Sequence, residues 1–167
     1  MVEWSITTDC KSVALRATQV QILPGAQNMS SIFTRIINRE IPADIFYEDD
    51  NFIAFLDINP VRDGHTLVVP KFKDGEKEED YIFNLNEEKY LELMITVKKV
   101  ANILQNKLKG KLDFEKLYIG VEGLEIPHVH VHLIPLTGDK GFHFEKEAKL
   151  NREEILNILL EDGLNNN

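Results

Sequence analysis

His128, His130 and His132 alternate with Val129, Val131 and Leu133 in a single run of sequence. In an extended chain successive side chains face opposite ways, so the three imidazoles project from one face with Cα atoms about 6.5 Å apart. The two valines and the leucine then face a core. A lone histidine on a strand is commonly a hydrogen-bonded bystander, but three in register opposite an apolar face call for a chemical reason. Neutral imidazole is both a metal ligand and a nucleophile near pH 7, so the row could hold a transition metal or attack phosphorus. Zinc would also need a fourth donor and acceptors behind its ligands. No acidic residue follows shortly downstream to supply one, which favours phosphate chemistry over a metal; no metal ligand is assigned, and no cofactor is expected.

The elements that must carry these side chains are legible around them. Ser30-Ser31 can cap a helix whose apolar positions are Ile32, Phe33, Ile36 and Ile37, ending before Pro42. Three strand candidates follow, over residues 45–48, 52–56 and 66–70, the first two joined by the tight-turn composition Asp49-Asp50-Asn51. Between the second and third lies a polar loop with Asp57, Asn59, Arg62 and His65, a reasonable place for chemistry beside a strand end.

Residues 72–80 are mostly charged and read as an exposed loop with no binding role. A long helix is expected from about Asn86 to Lys109, with Glu87 and Glu88 complementing its dipole. Its apolar residues cover more than one narrow stripe, so one side packs on the sheet and another meets something else, such as a second subunit. Residues 117–121 and 128–135 read as two further strands. A last helix spans about 151–162, with Asn151 and Glu154 at capping-box spacing and Gly163 beyond its end. Antiparallel hairpins with segregated helices make this an α+β domain.

With 167 residues and 43% hydrophobic content, the chain supports one core. Residues 1–28 show no helical or alternating period and read as an N-terminal extension, either disordered or from an over-extended start site, leaving residues 29–167 as the domain. Net charge is −9, from 19 Lys plus Arg against 28 Asp plus Glu. No basic stretch can track a nucleic-acid backbone, so no DNA or RNA polymer is expected as partner. A small phosphorylated ligand stays open. Cys10 is the single cysteine, which excludes an intrachain disulfide and fits a reducing, intracellular setting. No apolar run approaches the roughly 18 residues of a membrane span, and a cytoplasmic protein without a membrane partner is expected. His143 stands outside the histidine run and is given no role.

The run His128 to Ile134 matches the signature of the histidine-triad (HIT) superfamily, in which three histidines alternate with apolar residues and two more apolar residues follow. Residues 31–43 (beginning Ser31-Ile32-Phe33), the segment Phe55-Leu56-Asp57-Ile58-Asn59-Pro60, and Gly64-His65-Thr66-Leu67-Val68-Val69-Pro70-Lys71 resemble the family in order and spacing. The resemblance is closest to the nucleoside phosphoramidase-like bacterial members. It implies a five-stranded antiparallel sheet with one long helix and short terminal helices, paired into a homodimer through the long helix and an edge strand.

The resemblance also implies roles for particular residues. His130 would attack the α-phosphorus of a purine nucleotide derivative, His128 and His132 would flank the phosphate, and His65 would complete the histidine network. Asp57 would accept hydrogen bonds from ribose hydroxyls, and Ile32, Phe33, Ile36, Phe55 and Ile58 would line the nucleoside pocket. On its own chemistry Asp57 reads equally as a turn residue, and the aromatic and aliphatic positions as core.

Residue chemistry is consistent with that assignment. An imidazole of unperturbed pKa about 6.5 is largely neutral at pH 7, and an acceptor on one ring nitrogen would leave the other free to attack. The resulting nucleotidyl-histidine splits one displacement into two steps. The chain departs from the family just before the triad: Gly123-Leu124-Glu125-Ile126-Pro127 stands where many members carry Gly-Gln-Ser/Thr and an apolar residue. Leu124 cannot donate to a phosphate and Glu125 repels one. A nucleotide-binding module with little catalysis is therefore the second expectation, and a metal-dependent site on the triad the third.

Overall fold

The computed structural model describes residues 30–73, 75–136 and 151–160. The N-terminal extension read over residues 1–28, together with Cys10, His143 and Gly163, lies outside them.

Ser31 caps the first helix, α1 (Ile32–Ile37), its hydroxyl accepting from the Thr34 N–H at 3.1 Å. Strands β1 (Ile45–Glu48) and β2 (Phe52–Leu56) form a hairpin. Its turn is closed by Asp49 Oδ1, which accepts from the backbone N–H groups of Asn51 and Phe52 at 3.0 and 2.8 Å. Strand β3 (Thr66–Pro70) follows the polar loop. A 3-10 turn (Ile82–Asn84) then leads into α2 (Glu87–Leu108), capped by Asn86. Strands β4 (Lys116–Val121) and β5 (Val131–Leu136) and helix α3 (Arg152–Leu160) complete the described chain. The capping box at the start of α3 forms in both directions, at 2.9 and 3.1 Å between Asn151 and Glu154.

All neighbouring strands are antiparallel, in the order β1-β2-β3-β5-β4. The fold is α+β, one five-stranded sheet with a long helix and two short ones. Every residue of β2 and β3 is buried, because both faces of the sheet centre are covered. On one face α2 buries Leu93, Val97, Val100, Leu104 and Leu108 at helical spacing against Ala54, Val68, Val131 and Leu133. Each such side chain contributes about 1.5–3 kcal/mol by leaving water. On the other face Phe33 and Ile36 of α1 pack with Ile53, Phe55, Leu67 and Val69.

Gly64 leads the chain into β3 at φ +81°, and a Cβ there would stand 2.9 Å from Leu108 Cδ1. Only glycine lets the loop approach the end of α2 this closely, which sets where His65 lies.

The last strand differs from expectation: it starts at Val131, whereas residues 128–130 lie before it. The ladder from β3 ends at the pair Val68 and Val131. Further along, Pro70 has no N–H to offer, its carbonyl is taken by the His128 ring at 2.9 Å, and the Val129 N–H turns to the Glu79 carbonyl at 2.8 Å. Face alternation nevertheless holds across the run, since Val129, Val131 and Leu133 all enter the core beneath α2.

Leu91 and Ile95 on α2, and Ile119 and Val121 on edge strand β4, are exposed. Among the described residues no helix is long and apolar enough to cross a membrane.

Candidate active site

A cavity of about 550 Å³ lies between α1, the ends of β2 and β3, and the segment entering β5. Ile32, Phe33, Ile36, Phe55, Asp57 and Ile58, the positions expected to form a nucleoside pocket, all line it, as do His65, His130 and His132. Ile41 and Ile126 add apolar wall, and Arg152 reaches it from α3. Sequence reasoning missed these, because only the fold brings residues this far apart to one cavity.

His130 is held from behind. Its Nδ1 lies 2.7 Å from the carbonyl of His128, which can only accept, so Nδ1 carries the proton and Nε2 keeps its lone pair. The Phe33 ring meets the imidazole edge-on at 4.9 Å, fixing its plane. His132 lies beside it, ring centroids 4.8 Å apart.

His65 and His132 form a relay. The Val61 N–H donates to His65 Nδ1 at 3.4 Å, and His65 Nε2 lies 2.9 Å from His132 Nδ1. With the His65 proton on Nε2, His132 carries its own proton on Nε2. That atom is buried and has no hydrogen-bond partner among the described residues, a donor suited to an anionic oxygen in the cavity. Protonation of His65 would instead turn its Nδ1–H towards Asp57 Oδ2, 3.4 Å away.

Asp57 serves its own turn as well, Oδ1 accepting from the Asn59 N–H at 2.8 Å. A carboxylate has further lone pairs, so this leaves acceptor capacity facing the cavity.

His128 is the exception among the expected site histidines. It is fully buried and does not line the cavity. Nε2 donates to the Pro70 carbonyl, and Nδ1 meets Ser31 Oγ at 2.8 Å. It touches the site through its backbone carbonyl on His130, and its ring is not part of the cavity lining.

Burial is the largest influence on all four histidines, and it disfavours the charged form. It lowers His130 despite the hydrogen bond to the His128 carbonyl and the negative charges of Glu122 and Asp57. It lowers His65 against the opposing pull of Asp57, and His128 against that of Pro70 and Glu78. His132 falls to about 4, burial being reinforced by repulsion from His130 and His65. The whole cluster is therefore uncharged at neutral pH, the state in which an imidazole can attack.

The HIT domain family model matches residues 38–139 of the 167. The chain belongs to the HIT family. It is 41% identical over 132 residues to an uncharacterized HIT-like protein of Methanocaldococcus jannaschii, covering 75% of this chain and 95% of that one. It is 32% identical over 153 residues to an adenosine 5'-monophosphoramidase of Saccharomyces cerevisiae, covering 81% and 87%. The fold is similar to the crystal structure of a hypothetical histidine triad nucleotide-binding protein from Sulfolobus tokodaii, with TM-score 0.61 and 32% identity, covering 77% of this chain and 89% of that one.

Two features distinguish this HIT domain's site from its sequence-based reading. The departure before the triad has structural consequences: Leu124 is 93% exposed and points no donor anywhere, while Glu122 and Glu125 line the cavity. The charged stretch 72–80 is not merely a solvated loop, since Glu78 reaches the His128 ring at 3.5 Å.

For a metal, Asp57, His65 and His132 offer one ligand atom each, all within 4.8 Å. A catalytic zinc takes three protein ligands and a water, and in this structure the same side chains are engaged in the hydrogen bonds described above.

Proposed function

We propose that this HIT domain is a nucleotide hydrolase or transferase acting at the α-phosphate of a purine nucleotide derivative. The observation that carries this reading is the pairing of the free Nε2 of His130 with the partnerless Nε2–H of His132 in one cavity. The His130 lone pair attacks the α-phosphorus, the bond from phosphorus to the leaving group breaks, and that group departs with its electron pair and takes up a proton from solvent. Water then attacks the phosphorus of the nucleotidyl-histidine, the phosphorus–nitrogen bond breaks with its electron pair returning to His130, and the proton lost by the water passes to solvent, releasing the nucleotide and restoring neutral His130. His132 Nε2–H, oriented by His65, donates to a phosphoryl oxygen as charge builds there. Asp57 accepts from the ribose hydroxyls, and Phe33, Ile36 and Phe55 enclose the base with Ile32 and Ile58 at the mouth. His128 serves by presenting its carbonyl to His130. No metal or cofactor takes part in this scheme.

Turnover of adenosine 5'-phosphoramidate and of diadenosine polyphosphates by the wild-type protein is the direct test. A second reading, a nucleotide-binding module with little catalysis, draws on Glu122 and Glu125 in the cavity wall, which oppose an anionic transition state. Tight AMP binding without turnover of either substrate would favour the module.

The exposed apolar residues Leu91, Ile95, Ile119 and Val121 suit the homodimer that the family resemblance implies. Light scattering is expected to return twice the 19.2 kDa chain mass, and a monomer at micromolar concentration would count against pairing.

A further inference from the structure

The segment Glu78 to Asp80, from the charged stretch 72–80, is docked at three points against the triad and the segment that leads into it. The Glu79 carbonyl accepts from the Val129 N–H at 2.8 Å. The Asp80 carbonyl abuts Gly123 so closely that a Cβ there would stand 2.6 Å from its oxygen. Glu78 enters between α1 and His128: Oε1 accepts from the Thr34 hydroxyl at 2.8 Å, and Oε2 lies 3.5 Å from both the Ser31 N–H and His128 Nδ1.

We infer that Glu78 is a positioning residue for His130, acting through Ser31, Thr34 and His128. This rests on the reaction proposed above.

The chain of contacts is short. Because Nε2 of His128 donates to Pro70, its Nδ1 accepts from the Ser31 hydroxyl when the ring is neutral. Ser31 also accepts from the Thr34 N–H, and Thr34 is tied to Glu78. Glu78 thus fastens the start of α1 to the His128 ring. A fixed His128 holds its carbonyl 2.7 Å from His130 Nδ1, and that contact decides which nitrogen of the nucleophile is free. Were it lost, the proton of neutral His130 would distribute over both nitrogens and a share of molecules would present N–H to phosphorus.

Two readouts test this, side-chain 1H–15N NMR of His130 in the full chain and steady-state kinetics on adenosine 5'-phosphoramidate. Glu78→Ala is expected to turn a single Nδ1–H tautomer into a mixture and to lower kcat by roughly 2- to 10-fold, the factor by which that tautomer is depleted, with KM nearly unchanged because Glu78 touches no part of the cavity wall. Glu78→Gln keeps an amide oxygen for Thr34 and is expected to retain the wild-type tautomer and most of kcat. Thr34→Val, which removes the hydroxyl but keeps the carboxylate, is expected to shift both readouts in the direction of Glu78→Ala. A wild-type tautomer and kcat in Glu78→Ala, or equal damage in Glu78→Gln, would overturn the inference. Absence of turnover by the wild-type protein would instead overturn the proposed reaction, and the NMR comparison would still decide the role of Glu78.

Discussion

Replacing His130 with alanine is expected to lower kcat on adenosine 5'-phosphoramidate on the order of 10⁴-fold or more, with AMP binding nearly unchanged. The size follows from removing the nucleophile of a two-step displacement, since what survives is the binding and electrostatic contribution of the rest of the site. Binding is spared because the nucleoside would lie against Phe33, Ile36 and Phe55, side chains that line the cavity independently of the imidazole. Rapid-quench experiments with nucleotide labelled at phosphorus should trap a covalent adduct in the wild type and none in the variant. Equal turnover by both proteins would remove His130 from the mechanism.

The need for a neutral nucleophile also fixes the acid limb of the rate. A nucleophilic imidazole must be neutral, and an exposed one would lose activity as pH falls through about 6.5. Burial holds His130 below that value, so the neutral form persists to lower pH. The logarithm of kcat/KM is therefore expected to stay level through pH 6.5 and to fall only below it. A midpoint at or above 6.5 would mean that the titrating nucleophile is a solvated group.

Leu104→Ala is expected to destabilise the fold by about 2–5 kcal/mol, the usual range for a fully buried leucine that leaves a cavity. Leu104 is completely buried, one of five α2 side chains that cover the sheet beside Val68, Val131 and Leu133. For a domain of this size the melting temperature should drop on the order of 10 °C. Val131 and Leu133 belong to the same core as Leu104, and His132 lies between them in β5. Loosening the helix should therefore weaken nucleotide binding as well as stability. A variant melting within a degree or two of wild type would mean that α2 does not anchor the sheet.

Much of this molecule is written locally. The bounds of β1, β2, β3 and α2, the Ser31 and Asn86 caps and the capping box of Asn151 with Glu154 follow from signals only a few residues wide, because turns, caps and side-chain periodicity act over one to three turns of chain. The histidine row was equally visible, since alternation places its valines in the core wherever the segment lies. The positions expected to enclose a nucleoside do share one cavity, but their gathering there could be anticipated only through family resemblance.

What tertiary structure alone decided are contacts across long stretches of sequence. The His128 ring stays out of the cavity lining, with its Nε2 on the carbonyl of Pro70, 58 residues away. A proline carbonyl at the end of a neighbouring strand leaves no mark near the triad. Glu78 reads as one more solvated charge in a run of charges until Thr34, 44 residues earlier, and His128 are brought to it. The pKa values follow the same division. Every imidazole starts near 6.5 by its composition and is already largely neutral at pH 7, and burial, a property of the packed chain, carries that neutral state of the cluster to lower pH. The residue types determined which chemistry was available, while the packing of α1, β3 and residues 78–80 around the triad determined which histidines line the cavity and which one is buried behind it.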